Sequence, residues 1–100
     1  MTLQITKNAD AIIATLSGRL DTAAAQQFGI DMQPLLDNAD KHITLDCKDL
    51  AFISSSGLRL FLTLRKASMA KGGNVTISNA SDDIKQVFTI TGFYELFDFA

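Results

Sequence analysis

A chain of 100 residues with a net charge of −2, nine basic and eleven acidic side chains and 47% hydrophobic residues has the size and composition of one domain with its own core. The charges form no basic stripe, no apolar run reaches the roughly 20 residues of a membrane-spanning helix, and the single cysteine, Cys47, excludes an internal disulfide. We therefore expect a cytoplasmic chain without a secretory signal peptide, which neither binds nucleic acid nor inserts into a membrane.

The first two predicted elements are strands. Residues 3–7 and 11–17 are apolar runs, and the turn-forming residues 8–10 separate them. This arrangement predicts an antiparallel hairpin. Residues 18–21, which include a glycine, are predicted to be a break between the hairpin and the first helix.

The first predicted helix begins near Thr22, and Asp21 is a favourable N-cap for it. Proline removes a backbone donor and clashes with the preceding turn, so Pro34 predicts a kink or a restart near residues 30–34. Apolar residues recur at helical spacing and predict one buried face: Ala24, Phe28, Met32, Leu35 and Leu36.

The middle of the chain predicts a strand, a loop and a long helix. Residues 42–47 form a short segment with the β-branched Ile43 and Thr44, which predicts a central strand. Residues 48–53 are interpreted as the loop that follows. A strong helical pattern then runs from the serines at 54–56 to about Ala70. The basic residue and glycines at 71–74 are typical of a helix end.

The last predicted elements are a strand at residues 75–78, a helix opened by Ser81-Asp82-Asp83 and stopped by Gly92, and a hydrophobic tail at residues 93–99. The element order is therefore β-β-α-β-α-β-α. Strands separated by helices favour right-handed crossovers and parallel pairing, while the hairpin adds an antiparallel pair. The sequence thus predicts a single α/β domain with a mixed sheet.

Catalytic chemistry is poorly represented in the sequence. His42 is the only histidine, and a lone histidine in a short strand is usually structural, as is a lone cysteine such as Cys47. Asp46 and Asp49 are interpreted as caps and loop hydrogen-bonding groups, because no cluster has metal-ligand spacing. No phosphate-binding loop, nucleophile elbow or dinucleotide fingerprint occurs. We expect no enzyme, no metal and no cofactor.

Three consecutive serines, Ser54, Ser55 and Ser56, open the long helix. One serine is explained as an N-cap, because its oxygen accepts a hydrogen bond from a free backbone N–H group. At least one hydroxyl then has no capping role and is reachable from solvent. A phosphate there would lie at the positive end of the helix dipole, so a regulatory phosphorylation site is physically reasonable.

The long helix carries an apolar arc of roughly 200°, although packing on one sheet needs only about 100°. Two explanations remain open for the excess. Neighbouring helices cover it, or Leu60 and Leu64, at one margin of the arc, form part of a docking surface.

Several motifs in order along the chain resemble those of the STAS domain, and more narrowly the free-standing bacterial anti-sigma-factor antagonists. These motifs are Ser17-Gly18-Arg19-Leu20-Asp21, the run at residues 50–58, Lys71-Gly72-Gly73, residues 75–79 and Ile90-Thr91-Gly92-Phe93-Tyr94-Glu95-Leu96-Phe97. The resemblance implies a four- to five-stranded mixed sheet with helices packed mainly on one face, and residues 1–100 as one STAS domain. The sequence itself does not give the oligomeric state, and our default expectation for the free protein is a monomer.

The resemblance also implies a mechanism. The unphosphorylated antagonist binds an anti-sigma factor that is a serine kinase, phosphorylation on a serine breaks the complex, and a phosphoserine phosphatase resets it. By position the acceptor is Ser55, with Asp21 beside it, and Ser54 replaces the aspartate of the family pattern. The residues assigned to partner binding are Asp21, Ser54, Ser55, Ser56, Gly57, Leu60 and Leu64. The alternative is an unphosphorylated STAS subunit of an ABC-type membrane transport complex.

Overall fold

Five strands and four α-helices make up the fold in the computed structural model, which describes all 100 residues. In chain order the elements are β1 (Thr2–Lys7), β2 (Ala11–Leu20), α1 (Thr22–Asp31), α2 (Gln33–Asp37), β3 (His42–Ile53), α3 (Ser55–Lys71), β4 (Asn74–Ser78), α4 (Asp82–Ile90), a 3₁₀ turn (Tyr94–Leu96) and β5 (Asp98–Phe99).

The strands form one mixed sheet in the order β1-β2-β3-β4-β5, with β1 antiparallel to β2 and all other pairs parallel. Burial alternates across the sheet. Ala14, Leu45 and Ile77 form one row of register partners and have no exposed surface. The neighbouring row contains Ile13, which is 40% exposed, and Thr44. The helices therefore cover one face of the sheet, as predicted, with β3 at its centre.

Strands β2 and β3 extend further than predicted. The expected break at 18–21 and the expected loop at 48–53 pair with each other in parallel, and the pairing ends at Leu20 and Ile53. Register shifts interrupt this pairing, so Leu50 and Ile53 are buried three residues apart instead of two. The sequence pattern concealed the strand because such bulges remove the period-2 alternation that identifies one.

The first helix is interrupted as predicted. α1 ends at Asp31, and α2 begins at Gln33 with Pro34 in its first turn. A proline is tolerated there because the first N–H groups of a helix have no partner within the helix. The prediction of a restart near Pro34 is confirmed.

The core is joined by a chain of aromatic rings that runs from α1 to the carboxyl-terminal tail. The Phe61 ring lies 6.0 Å from that of Phe28 and 6.1 Å from that of Phe88. Phe88 in turn contacts Phe97 and Phe99, with ring centroids 5.5 and 5.3 Å away. These contacts place α3 between α1 and α4, and the tail of the chain completes the sheet as β5.

Candidate functional site

The candidate site lies where β2 and β3 end side by side. The backbone N–H of Ser54 donates to the carbonyl of Leu20 at 2.8 Å. The residue after each strand caps the next helix. Asp21 Oδ1 accepts from the Ala24 N–H at 2.8 Å, and Ser54 Oγ accepts from the Gly57 N–H at 3.2 Å. The amino ends of α1 and α3 therefore open at the same edge of the sheet. The predicted cap Asp21 is confirmed, and Ser54 is the one of the three serines that caps α3.

This edge favours negative charge. Two helix amino termini meet there, and each carries the positive end of a helix dipole with free N–H groups. Arg19 and Arg59 add two cations, of which Arg19 lies over the Phe52 ring at 4.5 Å from its centroid. Asp21 lies at the same edge, and its carboxylate is already used as the cap of α1. The two helix amino termini are thus the feature of this edge that favours an added anion.

The three serines occupy three different environments. Ser54 is partly buried, and its hydroxyl is engaged as the N-cap of α3. Ser55 is the first residue of α3, is exposed and has no hydrogen bond from its hydroxyl within the chain. Ser56 is partly buried and faces α1. Of the three hydroxyl groups, that of Ser55 is thus both exposed and free of a capping role.

A groove lies between α1 and α3 next to these serines. We call it the α1–α3 groove; it has a volume of about 340 Å³ and is lined by Thr22, Ala25, Gln26, Ser56, Arg59 and Leu60. Leu60 is half-buried and closes the groove against α1, where its methyl groups lie 3.6 Å from the place that a Cβ on Gly29 would take. Arg59 is the one charged side chain of the lining.

The family model of the STAS domain matches residues 2–100 of the chain. The chain is a member of the STAS domain family. A relative from Bordetella bronchiseptica, BtrV, bears the name of an anti-sigma factor antagonist and is 30% identical over 100 residues, covering 100% of this STAS domain and 86% of BtrV.

Solved structures share the fold of this STAS domain. The anti-sigma factor antagonist SpoIIAA in its unphosphorylated form has a TM-score of 0.82 at 24% identity, over 99% of this chain and 88% of SpoIIAA. The phosphorylated form of the Bacillus SpoIIAA has a TM-score of 0.74 at 23% identity, over 99% of this chain and 91% of its own. At these identities the likeness concerns the fold.

The structure corrects the assignment of Leu64 to a docking surface. Leu64 has no exposed surface and belongs to the same core cluster as Phe61. The apolar arc of α3 is wide because α1 and α4 pack on its two sides. The margin of the arc that carries Leu64 is therefore buried within this STAS domain and is not available to a partner. Leu60, one turn earlier, remains half-exposed in the α1–α3 groove.

Gly57 is also buried, which corrects its assignment as a residue in direct contact with a partner. A Cβ at this position would lie 2.7 Å from Leu20 Cγ and 3.1 Å from Ile53 Cγ1. Contacts of 2.7 Å are too short for carbon atoms, so glycine allows the first turn of α3 to approach the ends of β2 and β3. Gly57 thus contributes to the site indirectly, because it lets the first turn of α3 pack closely against the two strand ends.

Sequence reasoning missed the residues of α1 and α3 that face each other across the groove, Gln26 and Arg59 among them. Gln26 could not be predicted, because nothing in the sequence shows which exposed residues of α1 are turned toward α3. Arg59 carried a signal, since it follows Ser55 by four residues, the spacing that places two side chains on the same face of a helix.

The remaining chemical candidates take no part in this site. Burial raises the pKa of the Cys47 thiol to about 12, with the Asp46 carboxylate as a smaller cause, so the thiol is protonated at neutral pH. His42 lies at the opposite end of β3 and contacts Asn74. No three metal-ligating side chains converge, and none of the helices has the length and hydropathy needed to span a membrane.

Proposed function

We propose that this STAS domain is an anti-sigma factor antagonist. Its binding surface is the α1–α3 groove with the amino end of α3, and its partner is an anti-sigma factor that is also a serine kinase. Phosphorylation of Ser55 by that kinase ends the interaction, and a phosphoserine phosphatase restores it. The proposal rests chiefly on one observation: Ser55 presents an exposed hydroxyl with no capping role beside the groove. The name of the relative BtrV supports the partner class.

The position of Ser55 suits a switch that acts on binding and leaves the fold intact. A phosphate adds a charge of about −1.5 to −2 at pH 7. At the first residue of an exposed helix, each negative charge is favourable by about 0.3–1 kcal/mol. The free domain therefore tolerates the modification. In a complex the phosphate would lose water against the partner, and an unpaired buried ion costs several kcal/mol.

Ser54 bears on which kinase recognises the site. The serine keeps the capping hydrogen bond to Gly57 and removes the negative charge that aspartate would place next to the acceptor. The kinase that modifies Ser55 would therefore recognise this surface without an acidic residue at position 54.

A binding titration and a thermal unfolding measurement test the proposal. A candidate anti-sigma factor kinase is titrated with the wild type, Ser55→Ala, Ser55→Asp and protein phosphorylated in vitro, and thermal unfolding of each is recorded. We expect the wild type and Ser55→Ala to bind. We expect phosphoprotein and Ser55→Asp to lose at least tenfold in affinity, which corresponds to about 1.4 kcal/mol, without loss of thermal stability.

A matched charge control is Gln86→Glu, which adds one negative charge to the exposed surface of α4 with almost no change of shape. It should bind as the wild type does. In a kinase assay with labelled ATP, Ser55→Ala should lose the label and Ser56→Ala should keep it. Normal binding by both the phosphoprotein and Ser55→Asp would contradict the proposed switch, and would favour a constitutive subunit of a transport complex.

A further inference from the structure

Arg59 differs from the other two arginines because its guanidinium has no partner within the chain. Arg19 lies over the Phe52 ring. Arg65 Nε donates a hydrogen bond to the carbonyl of Leu96. Arg59 is exposed, and only its backbone carbonyl takes part in a side-chain hydrogen bond of the structure. Its planar set of donors is therefore available to an anion.

The geometry of α3 directs Arg59 toward Ser55. The two residues are four apart and exposed on the same helix, a spacing that leaves about 5–6 Å between Cβ atoms. Helical Cα–Cβ bonds tilt toward the amino terminus, so the Arg59 side chain extends back over the turn that contains Ser55. An anion that precedes a cation by four residues is also the more favourable order along a helix.

We propose that Arg59 binds the phosphate of phosphorylated Ser55 and is thereby drawn out of the α1–α3 groove. This inference rests on the proposed function for the identity of the acceptor. Guanidinium and phosphate match in a two-point hydrogen-bonded geometry, which fixes the phosphate on the surface of α3. In the unphosphorylated chain Arg59 is the charged side chain of the groove.

The consequence is a reversal of charge at the groove. Phosphorylation adds a charge of about −1.5 to −2 and at the same time engages the single positive charge of the lining. A partner that places a carboxylate in the groove of the unphosphorylated form would lose its cation and meet an anion. A single phosphorylation thus adds a negative charge beside the groove and removes the positive charge of its lining, without movement of a helix.

The other charged groups near the start of α3 belong to β2, β3 and the residue that follows β2. They are Arg19, Asp49 and Asp21. Arg19 is held over Phe52, and Asp21 is the cap of α1. Arg19 therefore supplies a matched control, since its removal deletes the same charge from the same edge without touching the turn of Ser55.

The experiment uses phosphoserine inserted at position 55 during synthesis and a phosphorus NMR titration of the free domain. The second pKa of an unperturbed phosphoserine is about 6. We expect this pKa to be lower in the otherwise unaltered chain than in Arg59→Gln by about 0.3 pH units, the size expected from an exposed i,i+4 ion pair. Arg59→Lys should retain most of the lowering, and Arg19→Gln should change the pKa by less than about 0.1 unit.

High salt gives a second readout. In 1 M NaCl, where charges are screened beyond about 3 Å, the difference between the unaltered chain and Arg59→Gln should shrink. Equal pKa values in these two proteins at low salt, or an equal shift in Arg19→Gln, would overturn the inference. Because phosphoserine is inserted during synthesis, the result does not depend on any kinase. A kinase that leaves Ser55 unmodified would count against the proposed function alone.

Discussion

The residues of the candidate site fall into two classes: some are exposed to solvent, and others are buried and hold the site in place. Ser55 and Arg59 are exposed, whereas Gly57 and Leu64 are buried. Leu60 lies between these classes, half-buried in the α1–α3 groove. The division matters because substitutions of buried residues change binding through stability, and substitutions of exposed residues change it directly.

Leu64 and Leu60 form a pair that separates the two effects. We expect Leu64→Ala to lower the free energy of unfolding by about 2–5 kcal/mol, the usual cost of removing a buried leucine side chain. Leu60→Ala should cost less, about 1–2 kcal/mol, because part of this side chain is already in contact with water. Urea unfolding of both variants provides the measurement. Equal costs would mean that Leu60 is as much a core residue as Leu64.

Elements whose pattern is local were predictable from the sequence, and elements defined by a distant partner were not. Asp21 as a cap and the restart at Pro34 were correct because a cap and a proline act on their own turn. The last residues of β2 and β3, which end at Leu20 and Ile53, were missed. These residues form strands because they pair with each other, and register shifts in that pairing disturb the alternation of their sequence. The acceptor position of Ser55 came from family resemblance, and it stays a prediction.

Packing of α3 against the two strand ends gives a test at this scale. We expect Gly57→Ala to lower stability by about 1–3 kcal/mol, because its Cβ would lie 2.7 Å from Leu20 Cγ and neighbouring atoms must shift. Gly29→Ala is the matched control on α1. Its Cβ would meet Leu60 at an ordinary 3.6 Å, so the variant should gain up to about 1 kcal/mol from helix propensity.

Denaturant unfolding of the two alanine variants reports the contrast. A stability for Gly57→Ala equal to that of the wild type would mean that α3 can move away from the strand ends at no cost. The close approach would then not hold the site in place. A loss of stability in both variants would point to a general intolerance of added volume on this face.

The molecule as a whole buries one face of its sheet and keeps a single thiol inside that core. Cys47 has no exposed surface and lies on β3, the central strand. Its pKa is raised from an ordinary 9.0 to about 12, first by burial and second by the Asp46 carboxylate. Because the unfolded chain releases this proton at lower pH than the folded chain, the thiol links global stability to alkaline pH.

We expect the stability contribution of Cys47 to be constant below about pH 9 and to decline as the pH rises from 9 toward 12. The folded thiol stays protonated over this range, and the unfolded thiol ionises, which favours unfolding. The free energy of unfolding, measured by urea at pH 8, 9.5 and 10.5, should fall more steeply for the wild type than for Cys47→Ala. Parallel slopes in the two proteins would mean that the thiol does not contribute.

The order of the five strands in the sheet is the same as their order along the chain. Each strand after β1 therefore pairs with the strand that precedes it in the chain. Each parallel pair is joined by a crossover that contains one or two helices, and no crossover skips over another strand of the sheet. The surface around Ser55 is complete in sequence once α3 ends at Lys71, whereas the core still lacks Phe88 and Phe97 at that point. During synthesis the surface around Ser55 is thus encoded before the last residues of the interior.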